Sequence, residues 1–134
     1  MTRHLHLAAI PICFGLAGAL ANAAPASAAP SGKACFFAHE LSSWKEAGDK
    51  TVNLRVGIKD VYQLQLLGPC PDLPYAEAIG IETRGGSRRI CSGLDINLIV
   101  PGNVTHGAPR RCMATSLRKL TKEEVSALPP KEKP

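Results

Sequence analysis

His39 and Glu40 place an imidazole beside a carboxylate, a pair able to move protons in general acid–base chemistry. They stand in a polar segment with no nucleophile motif nearby, so the plainer reading is two solvated side chains. His106 falls in a Gly- and Pro-rich stretch, residues 101–109, where functional loops concentrate. A single loop histidine is ordinarily just exposed. Asp95 follows Ser92-Gly93-Leu94 at the entrance to an alternating run, where an aspartate typically accepts from nearby backbone amides and fixes a turn. That structural use outweighs catalysis there. Arg84, Arg88 and Arg89 flank Gly85-Gly86-Ser87, and Arg110-Arg111 opens a later run. Guanidinium forks suit phosphate and carboxylate groups, so these five define a possible anion-binding surface. Alternation along a strand sends Arg88 and Arg89 to opposite faces, and ion pairs to residues such as Glu77 or Glu82 would use the same charges.

The chain shows no G-x-S-x-G, no H-E-x-x-H and no phosphate-cradling glycine loop, so no cofactor and no metal are expected. Asn103-Val104-Thr105 fits a glycosylation sequon, a three-residue pattern read here as an accidental match. The whole chain carries a formal charge of +5, a modest excess that can serve solubility and does not argue for nucleic acid.

The N-terminus has the pattern of an export signal. Arg3 gives a positive start, and residues 7–21 form an apolar run broken by Pro11 and diluted by Gly15 and Gly18. It falls short of the ~20 apolar residues of a spanning helix. Cleavage sites of A-x-A form end at Ala23 and Ala28, which predicts a mature start at Ala24 or Ala29, the first slightly favoured. Neither Cys13 nor Cys35 has a lipidation context. Residues 1–23 read as signal peptide and 24–33, rich in Ala, Pro and Ser, as a disordered leader. The mature chain of roughly 105 residues suffices for one core.

Losing the signal removes Cys13 and leaves Cys35, Cys70, Cys91 and Cys112, an even set without C-x-x-C that reads as two structural disulfides. Three connectivities are open.

The elements that must position these groups follow from periodicity. Residues 34–37 suggest a short strand. Leu41 and Trp44, three apart in a polar stretch, suggest a helical turn within residues 39–50. Val52, Leu54 and Val56 alternate, as do Tyr62, Leu64 and Leu66 after Gly57-Ile58-Lys59-Asp60, which predicts a hairpin with one buried face. Gly68-Pro69-Cys70-Pro71 ends it. A helical turn fits residues 72–78, and residues 79–84 and 88–92 read as a second hairpin about Gly85-Gly86-Ser87. Residues 95–100 alternate again, and residues 110–117 form a last strand carrying Cys112. Thr121-Lys122-Glu123-Glu124 is a capping box that starts a short helix, stopped by Pro129-Pro130. Residues 34–128 therefore form one mainly β domain, a small antiparallel sheet or barrel of about six short strands with a C-terminal helix. Residues 129–134 read as a disordered tail.

If residues 79–92 form that hairpin, Cys91 stands near the connection carrying Cys70. Pairing Cys70 with Cys91 and Cys35 with Cys112 is then preferred. The competing map joins Cys35 to Cys91 and Cys70 to Cys112.

Thr51-Val52-x-Leu54-Arg55-Val56-Gly57-x-x-Asp60-Val61-Tyr62-x-Leu64-x-Leu66-x-Gly68-x-Cys70-Pro71 resembles a family of small secreted bacterial proteins classed as a domain of unknown function, of the 6491 type. Ile90-Cys91-Ser92-Gly93-Leu94-Asp95, Arg111-Cys112 before Leu117, and Leu120-Thr121-x-Glu123-Glu124-Val125 resemble its later blocks. The resemblance implies a bacterial envelope protein, periplasmic or secreted, with no established activity and no catalytic residues to carry over. The expectation is a non-enzymatic binding or structural module whose partner is an envelope protein or an anionic surface. Two alternatives stand beside it: a small enzyme using His39, Glu40 or Asp95, and an anion-binding module using the arginines.

Overall fold

The computed structural model describes residues 35–102 and 107–134. The signal peptide, the leader, the sequon and His106 lie outside the described residues.

Alternation drives the architecture. Val52, Leu54 and Val56 of β3 (Thr51–Val56) and Tyr62, Leu64 and Leu66 of β4 (Asp60–Leu66) turn one face inward and are buried. Gly57, at φ 60°, supplies the left-handed turn residue between them. Ile96, Leu98 and Val100 of β7 (Ile96–Val100) repeat the pattern. Around them run β1 (Phe36–Phe37), β2 (Leu41–Glu46), β5 (Gly80–Thr83), β6 (Arg89–Ile90) and β8 (Arg110–Lys119), with one α-helix among the described residues, α1 (Lys122–Ala127). Every described strand pairing is antiparallel.

Six strands form a curled sheet in the order β2-β3-β4-β8-β7-β5, and β1 pairs with β6 as a separate ribbon. The sheet's two edges are therefore β2 and β5. Phe36, Leu73 and Ile90 join the inward faces to complete one apolar core. Burying such side chains is worth about 1.5–3 kcal/mol each.

Three expectations are corrected. Leu41 and Trp44 lie on a strand and not on a helical turn: the pairing steps from Leu41↔Val56 to Ser43↔Arg55, so Ser42 is an extra residue in a β-bulge. Residues 79–84 and 88–92 do not pair with each other. Gly85 and Gly86, at φ 73° and 74°, turn the chain away, so that β5 pairs with β7 while β6 leaves to meet β1. The preferred disulfide map falls with that hairpin. Phe36 stands opposite Ile90, so the next antiparallel step sets Cys35 against Cys91, and these two are bridged. Cys70, just past β4, is bridged to Cys112 of β8, the strand that pairs with β4.

The C-terminal residues also depart from expectation. Thr121 Oγ1 accepts from the Glu124 amide while Glu124 Oε2 accepts from that of Thr121, as the capping box predicts. Beyond α1, however, residues 129–134 fold back over the outer face of β3. Asn53, fully buried there, donates from Nδ2 to the Glu132 carbonyl at 3.0 Å. Arg55 Nε donates to the Pro134 oxygen at 2.8 Å. A polar chain runs beneath: Glu124 accepts from Arg118, Arg118 donates to Gln63, and Gln63 donates to Asn53. The carbonyls of the tail are held by side chains whose outward position follows from the same alternation that builds the core.

Candidate functional site

A groove opens along the sheet edge at β2. It has two connected parts, of about 640 Å³ and about 430 Å³, and Trp44, Lys45 and Glu77 line both. The smaller part is lined consecutively by Leu41, Ser42, Ser43, Trp44 and Lys45. A groove lying over one face of a strand would meet every second residue, so this one follows the strand's edge. Its far wall is the segment that leads into β5, with Pro74, Ala76, Glu77 and Ile79. The short 3-10 turn Leu73–Tyr75 carries that wall, anchored by the buried Leu73 side chain.

Trp44, the chain's single tryptophan, is partly buried against the core and offers the rest of its indole to the groove. Lys45, Glu46, Glu77, Lys131 and Glu132 place five charges around it. None of these side chains is joined in an ion pair among the described residues, whereas Arg110 pairs with Asp72, Arg111 with Glu82, Arg118 with Glu124 and Lys119 with Asp60. An aromatic body and unpaired charges at an open cleft suit binding, with the indole supplying contact area and the charges supplying orientation. Sequence reasoning missed this groove because its floor was assigned to a helical turn. The lone tryptophan between charged residues was the available signal.

The residues singled out from sequence take other positions. His39 stacks on Phe37, with ring centroids 5.6 Å apart. Glu40 Oε2 accepts from the Phe37 amide at 2.7 Å and closes the 3-10 turn Ala38–Glu40. Asp95 Oδ2 accepts from the amides of Cys91 at 2.9 Å and Ser92 at 2.8 Å. Asp95 thus fixes a turn, as its position suggested, and holds one end of the Cys35–Cys91 bridge. No hydrogen bond or ion pair among the described residues connects Asp95 to His39 or Glu40.

The sequence matches the Family of unknown function (DUF6491) over residues 1–133. The chain belongs to DUF6491. No curated protein and no solved structure matches it. Membership brings no assigned activity, so the site in this DUF6491 chain rests on its own geometry.

The five arginines do not form one patch. Arg84 donates from Nε to Asn97 Oδ1 at 3.0 Å, Asn97 donates to Glu82 at 3.1 Å, and Arg111 clasps both Glu82 oxygens at 3.0 and 3.1 Å. That clasp, then the Asn97 bond, holds the Glu82 carboxyl below its ordinary range, and the hydrogen bond to Glu82 raises Arg111. Arg110 turns to Asp72. Arg88 and Arg89 stand apart at the β1–β6 ribbon, exposed. At the other end of β8, where Lys119 stands against Tyr62, burial raises the Tyr62 hydroxyl above its usual range, while the hydrogen bond to Asp60 raises Lys119.

Among the described residues no three His, Cys, Asp or Glu side chains gather as a metal site. No described helix is long and apolar enough to cross a membrane.

Proposed function

We propose that this chain is an exported, disulfide-braced binding module of the bacterial envelope, non-enzymatic, whose ligand sits in the groove beside Trp44. One observation carries the reading: a half-buried indole and five unpaired charges converge on an open cleft, while His39, Glu40 and Asp95 are engaged in packing and turn closure. The location is supported by the Arg3 start, the apolar run of residues 7–21 and the A-x-A sites, together with two bridges of wide spacing that suit an oxidising compartment. Binding there needs no rearrangement of the core, because one wall is anchored by the buried Leu73 and the other by the pairing of β2 with β3, with Leu41 and Trp44 packed partly buried against the core.

The test is site-specific photo-cross-linking in intact cells, with benzoylphenylalanine at Lys45 and, as control, at Ile58, which is exposed on the β3–β4 turn. A discrete adduct from Lys45 and none from Ile58 is expected. Equal labelling from both positions, or none from Lys45, would refute the groove. Fractionation and intact mass on the same cells address export: a chain beginning at Ala24 or Ala29 outside the cytoplasm is expected, and retained Met1 would contradict it.

A further inference from the structure

The open edge of β2 specifies the ligand more closely, an inference that rests on the groove reading above. Antiparallel pairs alternate between residues that exchange hydrogen bonds and residues that do not. The Ala47 amide donates to the Thr51 carbonyl, and Leu66 donates to Lys50 on the other side of β3. With the register Lys45↔Asn53 and Ser43↔Arg55, the bonded positions of β2 are Ser43, Lys45 and Ala47. Trp44 and Glu46 therefore turn their N–H and C=O groups outward, into the groove. Among the described residues no backbone hydrogen bond reaches these groups.

Unpaired groups at this spacing are matched by one kind of ligand backbone, an extended polypeptide added as a further strand. Pro74, Ala76, Glu77 and Ile79 line the same groove as β2, so an added strand would have a wall beside it, which favours a single extended segment over the edge of a second folded sheet. The bulge at Ser42 limits the accepting edge to its distal half. Charge selects among peptides. Glu46, Glu77 and Glu132 outnumber Lys45 and Lys131 around the groove, in a chain whose formal charge is +5. We propose that the seam beside β2 binds an extended, basic peptide segment of a partner protein by strand addition, with main-chain bonds to Trp44 and Glu46 and its cationic side chains toward Glu46 and Glu77.

The experiment uses the mature oxidised chain and the fluorescence of its single tryptophan, Trp44. The probe is a capped seven-residue peptide alternating lysine and valine. Comparators are the same peptide with glutamate for lysine and the same peptide with its backbone amides N-methylated. Saturable binding of the lysine peptide is expected, with affinity lower by about tenfold or more for the acidic one and lost for the methylated one, since each lost hydrogen bond is worth about one such factor or less. On the protein side, Glu46→Pro removes an outward N–H without touching the β3 ladder and should weaken binding about tenfold. Glu46→Gln, which keeps the amide, should weaken it about threefold or less.

Equal binding of the methylated peptide, or indifference to Glu46→Pro, would overturn strand addition. So would an unchanged Trp44 signal for the lysine peptide up to about 1 mM. A dimer in sedimentation that Glu46→Pro dissolves would show a second copy filling the edge, and would likewise overturn the peptide reading. The Lys45 cross-link decides the groove independently of all these outcomes.

Discussion

Asn53 is the one buried polar side chain among the described core residues, and replacing it with alanine tests what holds the C-terminal segment in place. Its amide nitrogen is bonded to the Glu132 carbonyl at 3.0 Å, and its oxygen accepts from Gln63 at 3.4 Å. The first bond is well formed and worth about 1 kcal/mol net, the second less. Alanine would also leave the Glu132 carbonyl and the Gln63 amide short of a partner in a covered site, which adds about 1 kcal/mol or more. The expected loss in the intact chain is about 2–3 kcal/mol. Deleting residues 129–134 opens position 53 to water, and there the same substitution should cost about 0.5 kcal/mol or less. Urea unfolding of the four proteins, followed by Trp44 fluorescence with the disulfides intact, closes a thermodynamic cycle. A coupling near 2 kcal/mol is expected. Additivity within about 0.5 kcal/mol would refute the claim that Asn53 and the tail act as one unit.

Three further outcomes follow from the geometry. Non-reducing peptide mapping should link Cys35 to Cys91 and Cys70 to Cys112, and replacing either pair with alanine should destabilise by about 4 kcal/mol for loops of 56 and 42 residues; a Cys70–Cys91 peptide would contradict the fold. Gly93→Ala should cost about 1–3 kcal/mol in thermal unfolding, because a Cβ there would meet the Ser116 backbone nitrogen at 2.4 Å, and an unchanged midpoint would show that β8 does not approach that turn. Glu82 has a folded pKa held below its unfolded value by Arg111, so its stabilisation is present at neutral pH and fades as pH falls through the folded value, below the usual ~4.3. The urea midpoints of wild type and Glu82→Gln should therefore differ at pH 7 and converge in acid, whereas a constant gap would contradict the Arg111 clasp.

What could be read from the sequence was what depends on near neighbours. The β3–β4 hairpin needs only alternation and a glycine turn, and the α1 cap needs only Thr121 and Glu124 three apart. The β2 strand was hidden by its own bulge. One extra residue lets Leu41 and Trp44, three apart, both pack toward the core, and three is also a helical spacing. The fate of residues 79–92 turned on partners far along the chain, since a Gly-Gly turn reports that the chain bends and not which strand it next meets. The disulfide map inherited that ambiguity. The tail looked like solvent because its lysines, glutamate and prolines have no apolar face. Its main-chain carbonyls do the docking, and these are invisible in side-chain patterns.

The order of the bridged cysteines along the chain has a consequence for survival among proteases. Cys35–Cys91 and Cys70–Cys112 interleave, the second bridge beginning inside the span of the first and ending beyond it. With a nested arrangement, one cut between Cys35 and Cys70 and another between Cys91 and Cys112 would free the middle of the molecule. Here the middle fragment keeps Cys70 and Cys91, so it stays tethered to the N-terminal piece through Cys35 and to the C-terminal piece through Cys112. A cut anywhere between β7 and β8, together with one in the β3–β4 turn, therefore still leaves one covalent body, in which the groove walls on β2 and at residues 73–79 stay tethered.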